Sequence, residues 1–536
     1  MMSSGHCLNR CLDECPTTLL PFKREASVDL NEDQYRELCE ACDRVLLAPD
    51  STIERIAIPW LHVIREHPVF LANYVGLFES ANAVKVIIRQ YFRGLQNWAA
   101  WLRQFGRSLC SDGQPWMGSK ELPERIDVLF VSHLVNASHA GLSDDFYFGE
   151  LPDELVKQGY IVVIALINHS GQQGALLVNK WKESAVPRVI FSRSLGISEE
   201  VNLHRRLKNE SFRLRKFARK ETDSLFRKVL VRASQEALSN GSLTTLRMDK
   251  QIGELAAKLQ PEVIVVTHEG HAWERVAFAA ARREVSEVRC IGYQHAALFR
   301  LQHAIRRNLA SRYNPDQILT AGTAAKAQLE RVSGPEEITI AVLGSNRSFK
   351  GACPPIYEQA GRSDNLACLV LPEGIASECN LLFEFSLACA QLFPEIQFIW
   401  RLHPIVAFKS LIAHNSRLRN LPKNVVLSQV TLEEDAARSC WALYRGTTAI
   451  ISTVMAGVRP IYLRLPGEMT IDPLYELEMW RNSIADVSDF KRAIQTDIDG
   501  CYGSLGSALR LAQGYCESCF LPPDVGALIA LIPNKA

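Results

Sequence analysis

Ionisable and aromatic side chains crowd the end of one predicted strand, Val263–Thr267. The strand is followed directly by the segment His268-Glu269-Gly270-His271-Ala272-Trp273. A carboxylate or an imidazole in this position can take the proton from an attacking hydroxyl group. Glu269 is therefore predicted to act as a general base. The next residues, Glu274 and Arg275, are expected to form an ion pair on the face of the following helix.

Two other strand ends offer alternative catalytic bases. His295 closes the predicted strand Cys290–Gln294, where it could act as a base or bind a carboxylate of the substrate. Asp144 and Asp145 lie in the loop after the first predicted strand, which ends at His133. An aspartate in such a loop often caps a helix instead of reacting. The sequence leaves the choice among these bases open.

A second group of strand ends carries residues suited to bind an anion. The predicted strand Gln397–Arg401 runs into Leu402-His403-Pro404, and the proline ends it because it lacks a backbone N–H. His403 is thereby placed at the carboxyl end of the strand, where it either binds a ligand or only stabilises the turn. Glu373 follows another strand and could accept hydrogen bonds from hydroxyl groups, although a carboxylate at a helix start is equally expected.

Hydroxyl side chains follow the predicted strand Ala442–Tyr444. Gly446 lets a ligand approach the backbone closely, and Thr447 or Thr448 can cap the next helix, which also carries Ser452. The free N–H groups at a helix start and the helix dipole together attract a phosphate. The segment is therefore a candidate phosphate site.

The elements that must position these residues are short apolar runs separated by helical sequence. Strands buried on both faces read as continuous apolar runs, and helices between them indicate a parallel sheet. The sequence therefore predicts an α/β protein with two tandem Rossmann-like domains whose strand ends face a cleft. Besides the runs named above, the predicted strands are Ile126–Ser132, Tyr160–Ile167, Arg188–Phe191, Gln317–Thr320, Ile338–Leu343, Leu366–Leu371, Asn424–Leu427 and Arg459–Leu463.

The predicted domain boundaries lie where the alternation of apolar strands and helical sequence begins, restarts or ends. Residues 1–122 are predicted to be all-helical, with a helix over 31–47 capped by Asp29 or Asn31. One Rossmann-like domain is predicted over 123–333 and a second over 334–486, with a hinge at 334–338. A helical tail is predicted over 487–536.

Taken together, His403-Pro404 and the Thr447-Thr448 helix start 44 residues later resemble the nucleotide half of a GT-B glycosyltransferase. The resemblance is to the branch of polysialyltransferases, capsule Kdo transferases and CDP-glycerol polymerases. It implies that His403, Pro404, Thr447, Thr448 and Ser452 bind the phosphate of a cytidine nucleotide. The family often has paired serines where this chain has two threonines. Arg401 and Arg445 are expected to help stabilise the departing phosphate.

The resemblance implies an inverting transfer from a CMP-activated acidic sugar, such as Kdo or a sialic-acid-like sugar, to a surface polysaccharide or lipid-linked glycan. Such a donor releases a monophosphate, so neither a metal nor a cofactor is expected. The sequence agrees, because its Asp497-Ile498-Asp499 motif lies in the tail and not at a strand end. Two alternatives stay open: a UDP-sugar transferase or UDP-GlcNAc 2-epimerase-like enzyme, and a non-catalytic assembly protein of the same fold.

Charge and apolar content limit the partners. The chain of 536 residues carries 60 Lys+Arg and 59 Asp+Glu, a near-neutral balance that argues against nucleic-acid binding. Residues 204–232 contain eleven Lys/Arg against three acids, so this segment could lie on an anionic membrane surface or be a solvated helix. Because no run is long enough to span a bilayer and no signal peptide is recognised, a cytoplasmic protein is predicted, with peripheral association at the inner membrane face as an option.

The 15 cysteines are expected to be thiols in this setting. Two C-x-x-C pairs, Cys39/Cys42 and Cys516/Cys519, could each supply half of a zinc site, as could Cys7, Cys11 and Cys15. Thiols without a metal are favoured, because the pairs are far apart in helix-like sequence.

Overall fold

The computed structural model describes residues 30–79, 83–119, 121–181, 186–331, 338–349, 366–499 and 502–533. It divides into two compact units. The first unit lies within residues 29–349 and 518–536, and the second within residues 350–517. Each unit is an α/β structure built on a mainly or wholly parallel sheet.

The first unit begins with helices, as predicted. They are α1 (Glu32–Leu46), α2 (Ile53–Ile56), α3 (Pro68–Leu71) and α4 (Ala83–Leu109), with single 3-10 turns at Pro59–His62 and Val75–Leu77. Asn31 caps α1. Its side-chain oxygen accepts a hydrogen bond from the N–H of Gln34, and the side-chain oxygen of Gln34 accepts one from the N–H of Asn31. The alternative cap, Asp29, lies outside the described residues.

The sheet of the first unit has the order β1-β4-β3-β2-β5-β6-β7-β8. All neighbours are parallel except β1 and β4. Successive strands run outward from β2 on one side and from β5 on the other, so β2 and β5 flank the point where the strand order reverses. The strands are β1 (Trp116–Gly118), β2 (Val128–Leu134), β3 (Val162–Asn168), β4 (Arg188–Phe191), β5 (Val263–Thr267), β6 (Arg289–Gln294), β7 (Gln317–Thr320) and β8 (Thr339–Val342).

Helices cover both faces of this sheet. Val263, Val265 and Ile291 pack on one face, whereas Ile264, Val266 and Cys290 pack on the other, which explains the continuous apolar runs. The connecting helices are α5 (Leu151–Lys157), α6 (Gly174–Val178), α7 (Ile197–Lys220), α8 (Ser224–Glu236), α9 (Asn240–Leu259), α10 (Ala272–Glu284) and α11 (Thr323–Glu330).

Two strand assignments differ from the sequence-based prediction. Strand β1 lies inside the region expected to be wholly helical, and its three residues are too few to show an alternating pattern. Strand β8 had been expected to open the second sheet, yet it pairs with β7 and closes the first. An apolar run predicts a buried strand but not its neighbour. The predicted hinge beside it, residues 334–337, lies outside the described residues.

The second unit has the strand order β11-β10-β9-β12-β13-β14, all parallel. In chain order this is 3-2-1-4-5-6, the order of a Rossmann fold, with the reversal between β9 and β12. Strand β14 was not predicted. The strands are β9 (Ala367–Leu371), β10 (Gln397–Trp400), β11 (Val425–Leu427), β12 (Trp441–Tyr444), β13 (Arg459–Leu463) and β14 (Asn482–Ile484).

The helices of this unit are α12 (Ala376–Leu392), α13 (Phe408–His414), α14 (Leu432–Ala437), α15 (Ala449–Met455) and α16 (Val487–Asp499). The predicted tail is helical but divides between the units. Phe490 of α16 packs in the core of the second unit, whereas Leu528 of α18 (Val525–Ile529) packs in the core of the first. Helix α17 (Tyr502–Cys519) runs from one unit into the other along the chain. No described helix is both long and apolar enough to cross a membrane.

Candidate functional site

The anion-binding candidates of the second unit come together at the strand ends. Strands β10, β9 and β12 are neighbours and parallel, so the loops that follow them start side by side. These loops carry His403 after β10, Glu373 after β9, and Gly446 after β12. The last two flank the point where the strand order reverses, which is where ligands bind in open α/β sheets.

Two glycines let these loops touch. A Cβ at Gly374 would lie 2.9 Å from Nδ1 of His403, and a Cβ at Gly446 would overlap the carboxylate of Glu373. A side chain at either position would force the facing side chain to move, because real Cβ contacts are longer than this. His403, Glu373 and Gly446 therefore form one contiguous surface, hereafter the three-loop site.

His403 also shapes its own turn. Its carbonyl accepts from the N–H of Val406 at 2.9 Å, and its Nδ1 lies 3.4 Å from the N–H of Ile405. The imidazole is half-buried and Pro404 is exposed. The two interpretations of His403, turn residue and ligand residue, are thus compatible.

The hydroxyl residues lie beside the three-loop site. Thr447 is buried, and its Oγ1 accepts from the N–H of Ala449 at 3.3 Å. Thr448 occupies the cap position of α15 without a side-chain cap bond, so its hydroxyl does not bind the helix start. Ser452 is half-buried on the first turn of α15.

The two arginines expected near the phosphate hold protein groups instead. Arg445 is buried and donates to Glu378 at 2.7 Å, to Glu468 at 2.6 Å and to the carbonyl of Leu463 at 2.9 Å. Its pKa is raised further because the two carboxylates outweigh the effect of burial. Nη1 of Arg401 donates to Asp435 at 2.9 Å. Because the guanidinium of Arg445 is enclosed in this way, it cannot reach a ligand, and the expectation that Arg445 stabilises the departing phosphate is corrected. Nη1 of Arg401 is also engaged, by Asp435.

The strand ends of the first unit gather a different set of side chains. Nδ1 of His133, on β2, lies 2.8 Å from Nε2 of His169. Nε2 of His133 lies 3.1 Å from Oγ1 of Thr267. The ring of Trp273 meets His133 edge-on, with centroids 4.9 Å apart. Burial holds the pKa of His133 well below its ordinary value. This cluster lies at the reversal between β2 and β5.

Glu269 and His271 form a pair at the same edge, with Oε2 and Nε2 3.4 Å apart. Burial raises the pKa of Glu269, but His271, His295 and Arg65 outweigh it and hold the pKa below its ordinary value. The pKa of His271 is raised, because the two nearby carboxylates, Glu269 and Glu274, outweigh burial. Glu269 is therefore the ionised member of the pair, and His271 is the member that gains or loses a proton.

Glu274 anchors the loop that carries this pair, and the expected ion pair with Arg275 is wrong. Its carboxylate accepts from the backbone N–H groups of Glu269, Gly270 and His271 at 2.7–3.1 Å. Arg275 instead donates to Asn314 at 2.8 Å and to two backbone carbonyls. Adjacent residues on a helix point about 100° apart, so each meets different neighbours.

His295 and Asp145 occupy unequal positions. Burial lowers the pKa of His295 to about 4, and its ring meets that of Tyr147 edge-on at 4.5 Å. Asp145 is buried, and its Oδ1 accepts from the hydroxyl of Ser132 at 2.8 Å and from the N–H groups of Tyr147 and Phe148 at 2.9 Å. The structure thus favours the loop-holding interpretation of Asp145 over a role as base, and Asp144 makes no comparable set of bonds.

Sequence reasoning missed three residues near this cluster. His169 follows β3, and Arg65 and Arg347 lie close enough to lower the pKa values of Glu269 and His295 respectively. Arg65 belongs to the helical N-terminal region and Arg347 follows β8. No local pattern marks either residue, because each approaches the cluster from a distant part of the chain.

The cysteine pairs are buried thiols. Cys39, Cys42, Cys516 and Cys519 are all buried, and burial raises the pKa of Cys39 to about 12. Cys7, Cys11 and Cys15 lie outside the described residues. Within the described part of the chain, no group of three or more His, Cys, Asp or Glu side chains is placed to hold a metal ion.

No family model and no curated protein matches the sequence. Solved structures similar to the chain include the glycosyltransferase SnogD from Streptomyces nogalater, with 16% identity, coverage of 76% of this chain and 100% of that one, and a TM-score of 0.44. UDP-GlcNAc 2-epimerase from Methanocaldococcus jannaschii is 14% identical, with coverage of 72% of this chain and 99% of that one and a TM-score of 0.40. UDP-GlcNAc 2-epimerase from Neisseria meningitidis, bound to UDP-GlcNAc, is 11% identical, with coverage of 76% of this chain and 99% of that one and a TM-score of 0.41.

Proposed function

We propose that the chain is a metal-independent inverting glycosyltransferase of the GT-B type that uses a nucleotide sugar, with a CMP-activated acidic sugar as donor. The observation that carries the proposal is the three-loop site at the strand reversal of a Rossmann-ordered sheet. The expected cleft between the two sheets stays a prediction, as do the domain boundaries.

The donor phosphate is assigned to the three-loop site and the adjacent hydroxyl residues. The imidazole of His403 and the hydroxyl groups of Thr448 and Ser452 supply hydrogen bonds, while Gly446 gives the carboxylate of Glu373 its place beside them. Donors fixed in place before reaction stabilise charge that develops on the leaving phosphate. Glu373 would contact hydroxyl groups of the donor.

Proton transfer is assigned to the Glu269–His271 pair of the first unit. The acceptor hydroxyl attacks the anomeric carbon as the bond to the nucleotide phosphate breaks, and its proton passes to the neutral imidazole of His271. Glu269 stays ionised because its pKa is lowered, and it stabilises the imidazolium form of His271. Such a general base typically contributes about 10²–10⁴-fold to the rate.

The acceptor is proposed to be a glycan. A surface polysaccharide, of capsule or lipopolysaccharide type, or a lipid-linked glycan fits a protein located in the cytoplasm at the inner membrane face. The basic segment 204–232 would then lie near anionic lipid.

The test is calorimetric titration of the protein with CMP, CDP and UDP. His403→Ala and Gly446→Ala should each weaken CMP binding about tenfold or more, because the first removes a donor and the second displaces Glu373. His414→Ala, on α13, and Gly514→Ala, where a Cβ meets nothing within 4 Å, are matched controls that should bind normally. Binding of UDP in place of CMP would overturn the CMP assignment, and binding of no nucleotide would favour an assembly protein.

A UDP-GlcNAc 2-epimerase-like reaction is the second candidate. It is favoured by the density of histidines around Glu269, which suits proton removal from carbon as well as from oxygen. Incubation with UDP-GlcNAc and no acceptor distinguishes the two: an epimerised or free sugar would support this reaction, and an unchanged donor would oppose it.

A further inference from the structure

The long N-terminal helix α4 presents large apolar side chains to solvent. Seven of them are between 40% and 67% exposed. At about 100° per residue they fall within about 120° of the helix circumference, so they form one continuous band. This band, hereafter the α4 stripe, consists of Ile88, Tyr91, Phe92, Leu95, Trp98, Leu102 and Leu109.

The opposite face of α4 is the one that packs on the protein. Asn97 donates to the carbonyl of Gln235 at 3.1 Å, and Gln104 donates to that of Arg193 at 2.8 Å. Ser108 accepts from the hydroxyl of Ser194 at 2.9 Å. The side chains buried on this face, Gln104 and Ser108, are polar, and Trp101 packs beside them against His204. The α4 stripe lies on the other side and stays exposed among the described residues.

The charge of α4 is of one sign. Its 27 residues include five Lys or Arg and no Asp or Glu. Arg103 and Arg107 are exposed at the edge of the stripe. A helix with an apolar band, flanking cations and aromatic residues has the composition of one that lies flat at a membrane surface.

A cationic groove lies against the same helix. It has a volume of about 1130 Å³ and shares Phe92 and Arg93 with α4. No ion pair between a carboxylate and Arg219 or Arg227 is found among the described residues. Of the described residues that line the groove, Glu79 carries the one acidic side chain, and the cations are Arg93, Arg215, Arg219, Arg227, Lys228 and Arg232.

The groove also corrects how the basic segment 204–232 would work. Leu207 and Leu214 of the segment, and Leu203 just before it, are buried in the first unit and cannot face lipid. The segment forms the C-terminal part of α7 and most of α8, and its cations line the groove. The segment itself exposes Phe212 and Phe217, and α4 adds a longer apolar band beside its cations.

We propose that α4 and the cationic groove dock the protein on an anionic lipid bilayer. The α4 stripe lies in the interface, and the groove binds lipid headgroup phosphates. Each cation near an anionic surface and each buried apolar side chain strengthens the association. A second copy of the chain is a poorer occupant, because pairing two α4 helices would bring like charges together without a carboxylate on either helix. The inference holds whichever nucleotide sugar is bound.

The test is sedimentation of the full chain with vesicles of phosphatidylcholine, alone or mixed with phosphatidylglycerol. Binding is expected only to the mixed vesicles and should weaken as salt is raised. The triple variant Phe92→Ser/Leu95→Ser/Trp98→Ser and the double variant Arg219→Glu/Arg227→Glu should each lower the partition coefficient about tenfold or more. Controls with equally exposed residues, Leu176→Ser/Leu511→Ser and Lys409→Glu/Lys423→Glu, should bind as the wild type does.

Three results would overturn the proposal. The first is no binding to anionic vesicles, and the second is binding that neither variant changes. The third is a wild-type dimer, seen by ultracentrifugation without lipid, that the triple variant converts to a monomer while vesicle binding is absent. Thermal melting identifies a variant that fails to fold. Quenching of Trp98 fluorescence by brominated lipid tests the contact between the α4 stripe and lipid without changing any charge, and the quenching should be lost in Trp98→Phe. CMP binding should persist in every variant, so failure here is distinct from failure of the proposed function.

Discussion

The candidate residues of the two units follow strands at the same kind of reversal in strand order, but their side chains differ in chemistry. In each sheet the candidate residues lie where the strand order reverses, between β2 and β5 in the first unit and between β9 and β12 in the second. The first gathers ionisable rings and a carboxylate, with several pKa values displaced by burial. The second is shaped by two glycines, while Arg445 is enclosed by carboxylates. Topology thus fixes where a site lies, and side chains decide what it does.

The largest effect that would sharpen this comparison is expected from Glu269→Gln. The amide cannot hold His271 as an imidazolium, so turnover should fall about a thousandfold while nucleotide affinity is kept. Measurement of kcat together with calorimetric Kd separates the two effects. Glu287→Gln, an exposed position in the same unit, is the control. Unchanged turnover would show that the first unit does not supply the base.

The next effect concerns the enclosed arginine of the second unit. Arg445→Met should lower the free energy of unfolding by about 3–5 kcal/mol, because it leaves buried Glu378 and Glu468 without their partner. Urea denaturation measures the loss. Arg438→Met, whose side chain is 46% exposed in its pair with Asp435, should cost about 1 kcal/mol or less. A small loss for Arg445→Met would mean that the arginine is available to a ligand after all.

The smallest effect is a pH dependence that belongs to the first unit. The pKa of His295 is lowered to about 4 in the folded state, against an ordinary value of 6.5. The unfolded chain therefore binds a proton in this interval that the folded chain does not, so this contribution to stability is present above pH 6.5 and lost as the pH falls toward 4. Melting temperature measured against pH should show a shallower fall for His295→Gln than for the wild type. Equal slopes would place the imidazole in a solvated environment.

Much of the fold was predictable because buried parallel strands are continuous apolar runs. Arg188–Phe191, Val263–Thr267, Gln317–Thr320 and Arg459–Leu463 were predicted to the residue. The three-residue strands β1 and β14 were missed, since Trp-Met-Gly and Asn-Ser-Ile are not runs of β-branched residues, as the equally short β11 is. At the sites, the placement of His403, Glu373 and Gly446 after strand ends followed from the sequence, whereas their proximity and the task of Asp145 did not. Its bonds to Ser132, Tyr147 and Phe148 depend on the loop conformation.

The sequence by itself determined the α/β class, the two series of strands and the polar residues at their ends, because local periodicity and chain breaks specify these features. Only the tertiary structure decided that β8 joins the first sheet, that Arg445 is enclosed, that Glu274 holds its own loop and that the apolar face of α4 points outward. Each of these depends on which distant segment lies alongside. Burial and pairing are properties of through-space neighbours, which the spacing of residues along the chain does not contain.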